Sequence, residues 1–362
     1  MTRVKHFLRI IFGLLLWGLA FTTTVWSASY KIPPLGSAQQ STDIGDETAA
    51  IDQLPDSDPK KALLKVLLAR QRRDHKAQVE AAQFAEKNHH PRARSFWTQL
   101  SIEEIVSGML AQGLEHAHHV MDLYSPKDVS FHTGVLGDPD NILNVLIYKG
   151  YKNEAERLAV EAVARTKEVA GDSVATQAQL ADLFAVYLRV GKQHDAMNTL
   201  TEILRFDLLS GETISQSNEH THCSPPLPQA SNAVMVIAQV SGAMEQIKPR
   251  DLNFENEAYE KILNAQKSQL AADPLLADTK DELLLVTLSK LGDSQFELQK
   301  YTEADKYFSE AFKISTKYHH GKFAVSLAGK NYLANLREVG KAAEADQRAN
   351  LQWDGIGPPE RH

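Results

Sequence analysis

The sequence predicts an all-α protein, a solenoid of helix-turn-helix repeats arranged in two blocks around an irregular middle. Three observations predict it. Beyond residue 59 apolar residues recur at helical spacing in nearly every segment, as in Leu63, Leu64, Val66, Leu67 and Leu68, and strand-like alternation is scarce. Small residues recur at a fixed interval: Ala155 to Ala196, Gly150 to Gly191 and Ala304 to Ala345 are each 41 residues apart. The pattern breaks once, between Asp207 and Pro228, where Gly211, Pro225, Pro226 and Pro228 lie in a polar stretch too long for an ordinary connection.

Taken in order, residues 1–29 have the layout of a secretory signal. Arg3, Lys5 and Arg9 come first, an apolar run from Ile10 to Phe21 follows, and small residues at Ser27, Ala28 and Ser29 end it. If it is retained, the 17 residues from Ile10 to Trp26 are at the short limit of a membrane span and would act as an anchor. The protein is therefore expected to be exported, to a periplasm or the extracellular space. Residues 30–59, rich in Pro, Gly, Ser and Asp, read as a disordered tether.

Residues 60–137 read as degenerate helix pairs, with a small-residue turn at Ala111 to Ala117. Residues 138–206 hold the first well-marked pair of repeats, built around Gly150 with Ala155 and Gly191 with Ala196. In 207–280 a long loop precedes helices at about Asn232 to Ile247 and Phe254 to Leu270, which carry no repeat signature. Residues 281–353 hold the second pair, with Leu291-Gly292 on one helix and Ala304, Phe308 and Ala311 on the next, and 354–362 form a tail. The small Gly292 and Ala304 would let two backbones approach while Phe296, Tyr301, Phe308 and Phe312 fill the space beside them. Asn153 with Glu156, and Thr302 with Asp305, are spaced as N-cap and N3 partners.

LGDSQFELQKYTEADKYFSEAF, from Leu291, resembles the tetratricopeptide signature, and NILNVLIYKGYKNEAERLAVEAV, from Asn141, is similar. The interval exceeds the family's usual ~34 residues, and the excess falls after the second helix each time, as in the kinesin-light-chain subtype. The resemblance implies that the first helix of each repeat lines an inner face that binds protein or peptide ligands. By register those positions are Asn144 and Tyr148, Ala185 and Arg189, Asp293 and Glu297, then Lys330, Ala334 and Arg337. The family's carboxylate clamp, two Lys with Asn and Arg, is not visible.

Composition narrows the function. Lys and Arg total 39 against 46 Asp and Glu, a net charge of −7, so phosphate backbones are not natural partners. Cys223 is the one cysteine, and the fold holds by packing rather than by an internal disulfide. Glu219, His220, His222 and Cys223 in the long loop form the sharpest metal candidate, giving an alternative reading as a metal-binding protein. His116 and His119 share a helical face, with Glu115 one turn before His119, yet no HExxH arrangement accompanies them and packing is the expected role. No GxSxG, SxxK or GxxxxGK[ST] motif is present, so neither catalysis nor a cofactor is expected. A non-catalytic scaffold holding a protein or peptide is the function expected, with a self-associating envelope protein as a further alternative.

Overall fold

The computed structural model describes residues 44–125, 142–206, 232–272, 277–317 and 327–351. The signal-like segment 1–29 and the loop bearing Glu219, His220, His222 and Cys223 lie outside them. The described residues are helical, without a strand among them, and they form two compact units that meet in the chain between Leu100 and Ser101. No helix among them is long and apolar enough to cross a membrane.

The first unit contains α1 (Ile44–Asp52), α2 (Pro59–Arg72), α3 (His75–Lys87) and the first part of α4 (Ala93–Ser107). Helix α1 stands inside the segment expected to be a disordered tether. Its sequence IGDETAAID has too few apolar positions to show an amphipathic stripe, and its order comes from tertiary contact: Ile51 is buried. The buried Lys61 of α2 ties it down. That ammonium donates to the carbonyls of Asp52 and Leu54, at 3.2 and 2.7 Å, and pairs with Asp56 at 2.6 Å. Asp58 and Asp74 cap α2 and α3 by accepting from the Lys60 and Ala77 amides.

The second unit continues α4 and adds α5 (Leu110–Asp122), α6 (Ile142–Tyr148), α7 (Lys152–Ala170), α8 (Val174–Val190) and α9 (Gln193–Ile203). After the irregular segment come α10 (Asn232–Glu245), α11 (Leu252–Ala272), α12 (Ala277–Glu297), α13 (Tyr301–Lys317), α14 (Leu327–Glu338) and α15 (Ala342–Leu351). It is an α-solenoid of tetratricopeptide-like pairs, in which α6 packs on α7, α7 on α8, α8 on α9 and α10, α11 on α12, α12 on α13, α13 on α14 and α14 on α15.

One turn recurs through this unit. The first helix of a pair ends on a residue with positive φ, and the following amide reaches back five residues to close the last turn. Tyr151 donates to the Leu146 carbonyl at 2.8 Å, Lys192 to Tyr187 at 2.8 Å, Lys300 to Gln295 at 2.9 Å, Lys341 to Leu336 at 2.7 Å and Met109 to Glu104 at 2.8 Å. Gly150, Gly191, Gly340 and Gly108 occupy the left-handed position in four of them and Gln299 in the fifth. Five residues after that position stand Gly113, Ala155, Ala196, Ala304 and Ala345, all buried. Four of these were legible as the small residues of the repeat. The fifth is Gly113, within the Ala111 to Ala117 segment.

Two local expectations change. At Gly292 the tightest neighbour is an aromatic: a Cβ there would lie 2.4 Å from the Phe308 ring, so the missing side chain makes room for it. The close backbone approach occurs at Gly113, where a Cβ would stand 3.0 Å from the Ser101 carbonyl oxygen, and the Ser101 hydroxyl donates to the Gly113 carbonyl at 2.7 Å. Nor do Asn153 and Thr302 cap their helices, because α7 begins at Lys152 and α13 at Tyr301, which places both inside the first turn. Glu156 and Asp305 instead accept from Lys192 and Lys341, each at 2.6 Å, and each of these bridges ties one repeat to the turn of the next. Those bonds raise the pKa of both ammonium groups.

Candidate functional site

The recurring turn fixes which side chains share a register. Tyr148, Arg189 and Glu297 each stand seven residues before the buried small residue of their pair, in the last turn of the first helix, and Asn144, Ala185, Asp293 and Ala334 stand eleven before it. Val106 has the same register as Tyr148 relative to Gly113. It was missed because its pair is degenerate in sequence. Both are well exposed, Tyr148 to 74% and Val106 to 48%, which is unusual for large apolar groups.

Arg189 lies at the middle of this strip and joins three helices. Its guanidinium donates to the Asn144 carboxamide oxygen on α6 and to the Gln246 carboxamide oxygen just past α10. A planar fork held this way presents its donors in a fixed plane. A second arginine, Arg250, repeats the device further along. It donates to Glu255 on α11 at 2.9 and 2.5 Å and to both carboxylate oxygens of Glu297 on α12, at 2.9 and 3.0 Å. These bonds push the Arg250 pKa further up.

The remaining predicted positions divide. Asp293 accepts from the Asn331 amide of α14 at 2.8 Å, and burial pushes its carboxyl pKa up despite that bond. Lys290, one turn earlier, pairs with Glu245 of α10. Arg337 instead pairs with Asp346 of α15 at 3.0 Å, across its own repeat, and the structure does not bring it to the strip. Lys330 is exposed on α14. The sequence pointed to both members of the Arg189–Asn144 bond, to one member of the bonds to Gln246, Arg250 and Asn331, and to neither member of the Lys290–Glu245 pair.

The reason those partners were missed lies in the α10–α11 turn. The Glu255 amide donates to the Asp251 carbonyl at 2.9 Å, the bond that Ala155, Ala196, Ala304 and Ala345 make to Tyr151, Lys192, Lys300 and Lys341 in their own turns, each at 3.0 Å. So Glu255 occupies the small-residue position of this pair, but the recurring turn is not formed before it: Arg250, five residues earlier, does not have the positive φ of Gly150 or Gly191. With a buried glutamate and an arginine in those places, the repeat has no visible signature. Asp251 caps α11 by accepting from Phe254 at 3.1 Å, and that bond lowers its carboxyl pKa.

The histidine cluster is used internally. His116 lies 2.7 Å from the buried Glu104, and His118 lies 2.8 Å from Glu161 and 2.7 Å from the Leu114 carbonyl. Among the described residues no group of three or more His, Cys, Asp or Glu side chains is placed to hold a metal ion.

No family model matches the sequence, and no curated protein matches it. Among solved structures, the apo form of RapI is 13% identical, with 87% of this chain and 77% of that one covered and a TM-score of 0.41. The apo form of the quorum sensor NprR from B. thuringiensis is 13% identical, with 86% and 77% covered and a TM-score of 0.34. NprR in complex with its cognate peptide NprX is 16% identical, with 84% and 79% covered and a TM-score of 0.27. A likeness this distant assigns neither a ligand nor an activity to this chain.

Proposed function

We propose that this protein is a non-catalytic scaffold that holds an extended segment of another protein along the last turns of the first helices, from Val106 and Tyr148 through Arg189 to Glu297. The observation that carries this reading is the exposed Tyr148 ring in register with Arg189, whose guanidinium is already oriented by Asn144 and Gln246. An aromatic anchor and a preorganised cation are the residue types that dominate binding surfaces, because both give large contacts for little lost side-chain freedom. The 41-residue interval supports the kinesin-light-chain subtype of the tetratricopeptide family, and the layout of residues 1–29 supports action outside the cytoplasm.

The reading is tested with immobilised full-length protein and its Tyr148→Ala, Arg189→Ala double variant, both checked for unchanged helical content. The variant is expected to retain its partners about tenfold less or weaker. Retention of every partner at wild-type level contradicts the proposal.

A further inference from the structure

Charge changes sign where α1 gives way to α2. Residues 44–58 hold five acids and no Lys or Arg, whereas 59–87 hold eight Lys and Arg against three acids. The first unit therefore sets an acidic segment, α1 with the turn after it, on a basic helical hairpin. Lys61 and Lys65, one turn apart on α2, bring their ammonium groups to 5.7 and 5.4 Å from the centre of the Phe84 ring of α3. The Lys61 side chain is 8% exposed, and the oxygens it meets come from the acidic segment: the Asp52 and Leu54 carbonyls and the Asp56 carboxylate. Lys65 pairs with Asp52 at 2.7 Å, and Arg72, two turns on, donates to the Thr48 hydroxyl at 2.6 Å.

The positive field of this face acts on the acids it holds. Lys65 keeps the Asp52 carboxyl below its usual range, and Lys61, with Lys65 and Lys87, does the same to Asp56. A buried ammonium is tolerated only while oxygens surround it, so the face requires an occupant with a carboxylate and free carbonyls. The occupant it has is slight. Helix α1 has nine residues, too few to be stable alone, and among its described side chains Ile51 alone is buried. Flanking the stripe of Lys61, Lys65 and Arg72, Leu64 and Leu67 stay 37% and 52% exposed, so α1 leaves apolar surface beside the lysines uncovered.

We infer that the face of α2 and α3 formed by Lys61, Lys65 and Phe84 is a binding site for an acidic segment of a partner protein, and that α1 with its following turn is the chain's own stand-in for that partner. The partner fits as Ile51, Asp52 and Asp56 do: an apolar residue, a carboxylate beside it for Lys65, and a second carboxylate four residues on for Lys61. It gains where α1 stops, because further apolar residues of the partner cover Leu64 and Leu67. It competes with a tethered segment whose effective concentration is roughly millimolar, so a tight or locally concentrated partner is required. The inference stands independently of the strip from Tyr148 to Glu297.

The test uses the full chain and a fluorescein-labelled peptide with the sequence of residues 44–58. In the variant Ile51→Ala, Asp52→Asn, Asp56→Asn the internal segment is weakened, and the peptide is expected to bind about tenfold or more tightly than to wild type. Adding Lys65→Gln to that variant is expected to weaken peptide binding about tenfold. Equal affinity of the opened variant and wild type, or binding indifferent to Lys65→Gln, overturns the inference. Should the opened variant fail to fold, hydrogen exchange on the wild type decides. Peptide at ~10 mM, above the effective concentration of the tethered segment, is expected to speed exchange of the α1 amides several-fold, and unchanged α1 exchange overturns the inference. Sedimentation of the wild type assigns the occupant: a monomer is expected, whereas a dimer that the opened variant loses places the α1 of a second copy on this face and overturns the assignment to a partner.

Discussion

Single residues set how the helices of a pair meet, and two glycines show it in opposite directions. Gly292 faces the Phe308 ring, so Gly292→Ala puts a methyl where the aromatic stands, and its overpacking of about 1–3 kcal/mol outweighs the gain of up to ~1 kcal/mol in helix propensity. Gly242 lies inside α10 with open space around it, so Gly242→Ala has only the propensity gain. Urea denaturation is expected to show the first variant less stable than wild type and the second more stable. A titration reports on Asp293. Its folded pKa is raised above 3.8, so the folded state binds its proton more tightly than the unfolded chain. Its contribution is most favourable below pH 3.8 and is lost as pH rises through the raised value. Asp293→Asn removes that loss, and its stability relative to wild type is expected to rise across the same window.

Pairs of helices were legible where the turn used glycine and the next helix began with alanine. Gly150 with Ala155, Gly191 with Ala196 and Gly340 with Ala345 declare themselves, because few other residues suit a left-handed turn and a close seam. The α10–α11 pair lacks the left-handed residue and has Arg250 and Glu255 where other pairs have glycine and alanine, so its place in the register became visible only through the Glu255 to Asp251 hydrogen bond. Helix α1 was hidden for a different reason, since its order depends on contacts with α2 rather than on its own pattern. The substitution of an ion pair for a small side chain has an energetic consequence. Arg250→Ala strands Glu255 in the seam and is expected to lower stability by about 3–5 kcal/mol, while the double variant with Glu255→Ala recovers most of it. A double-mutant cycle by chemical denaturation measures the difference, and additive effects would show that Arg250 does not serve Glu255.

Across the second unit, the repeat turns local geometry into a long-range arrangement. Register alone located Asn144, Tyr148, Arg189, Asp293 and Glu297, since each lies a fixed distance before a buried small residue. What register could not supply was the partner of each side chain, because Arg189 with Gln246 and Arg250 with Glu297 are bonds between residues 57 and 47 positions apart. Arg337 shows the converse: it stands eight residues before Ala345 rather than seven, and it pairs with Asp346 of its own pair. The most direct test of the central claim places a photo-crosslinking residue at Tyr148 and, separately, at Val160 of α7, which is also exposed but outside the strip. Irradiation of the full-length protein in its native host is expected to give partner adducts at position 148 and few or none at 160. Equal adducts at both positions, or none at 148, would contradict the account.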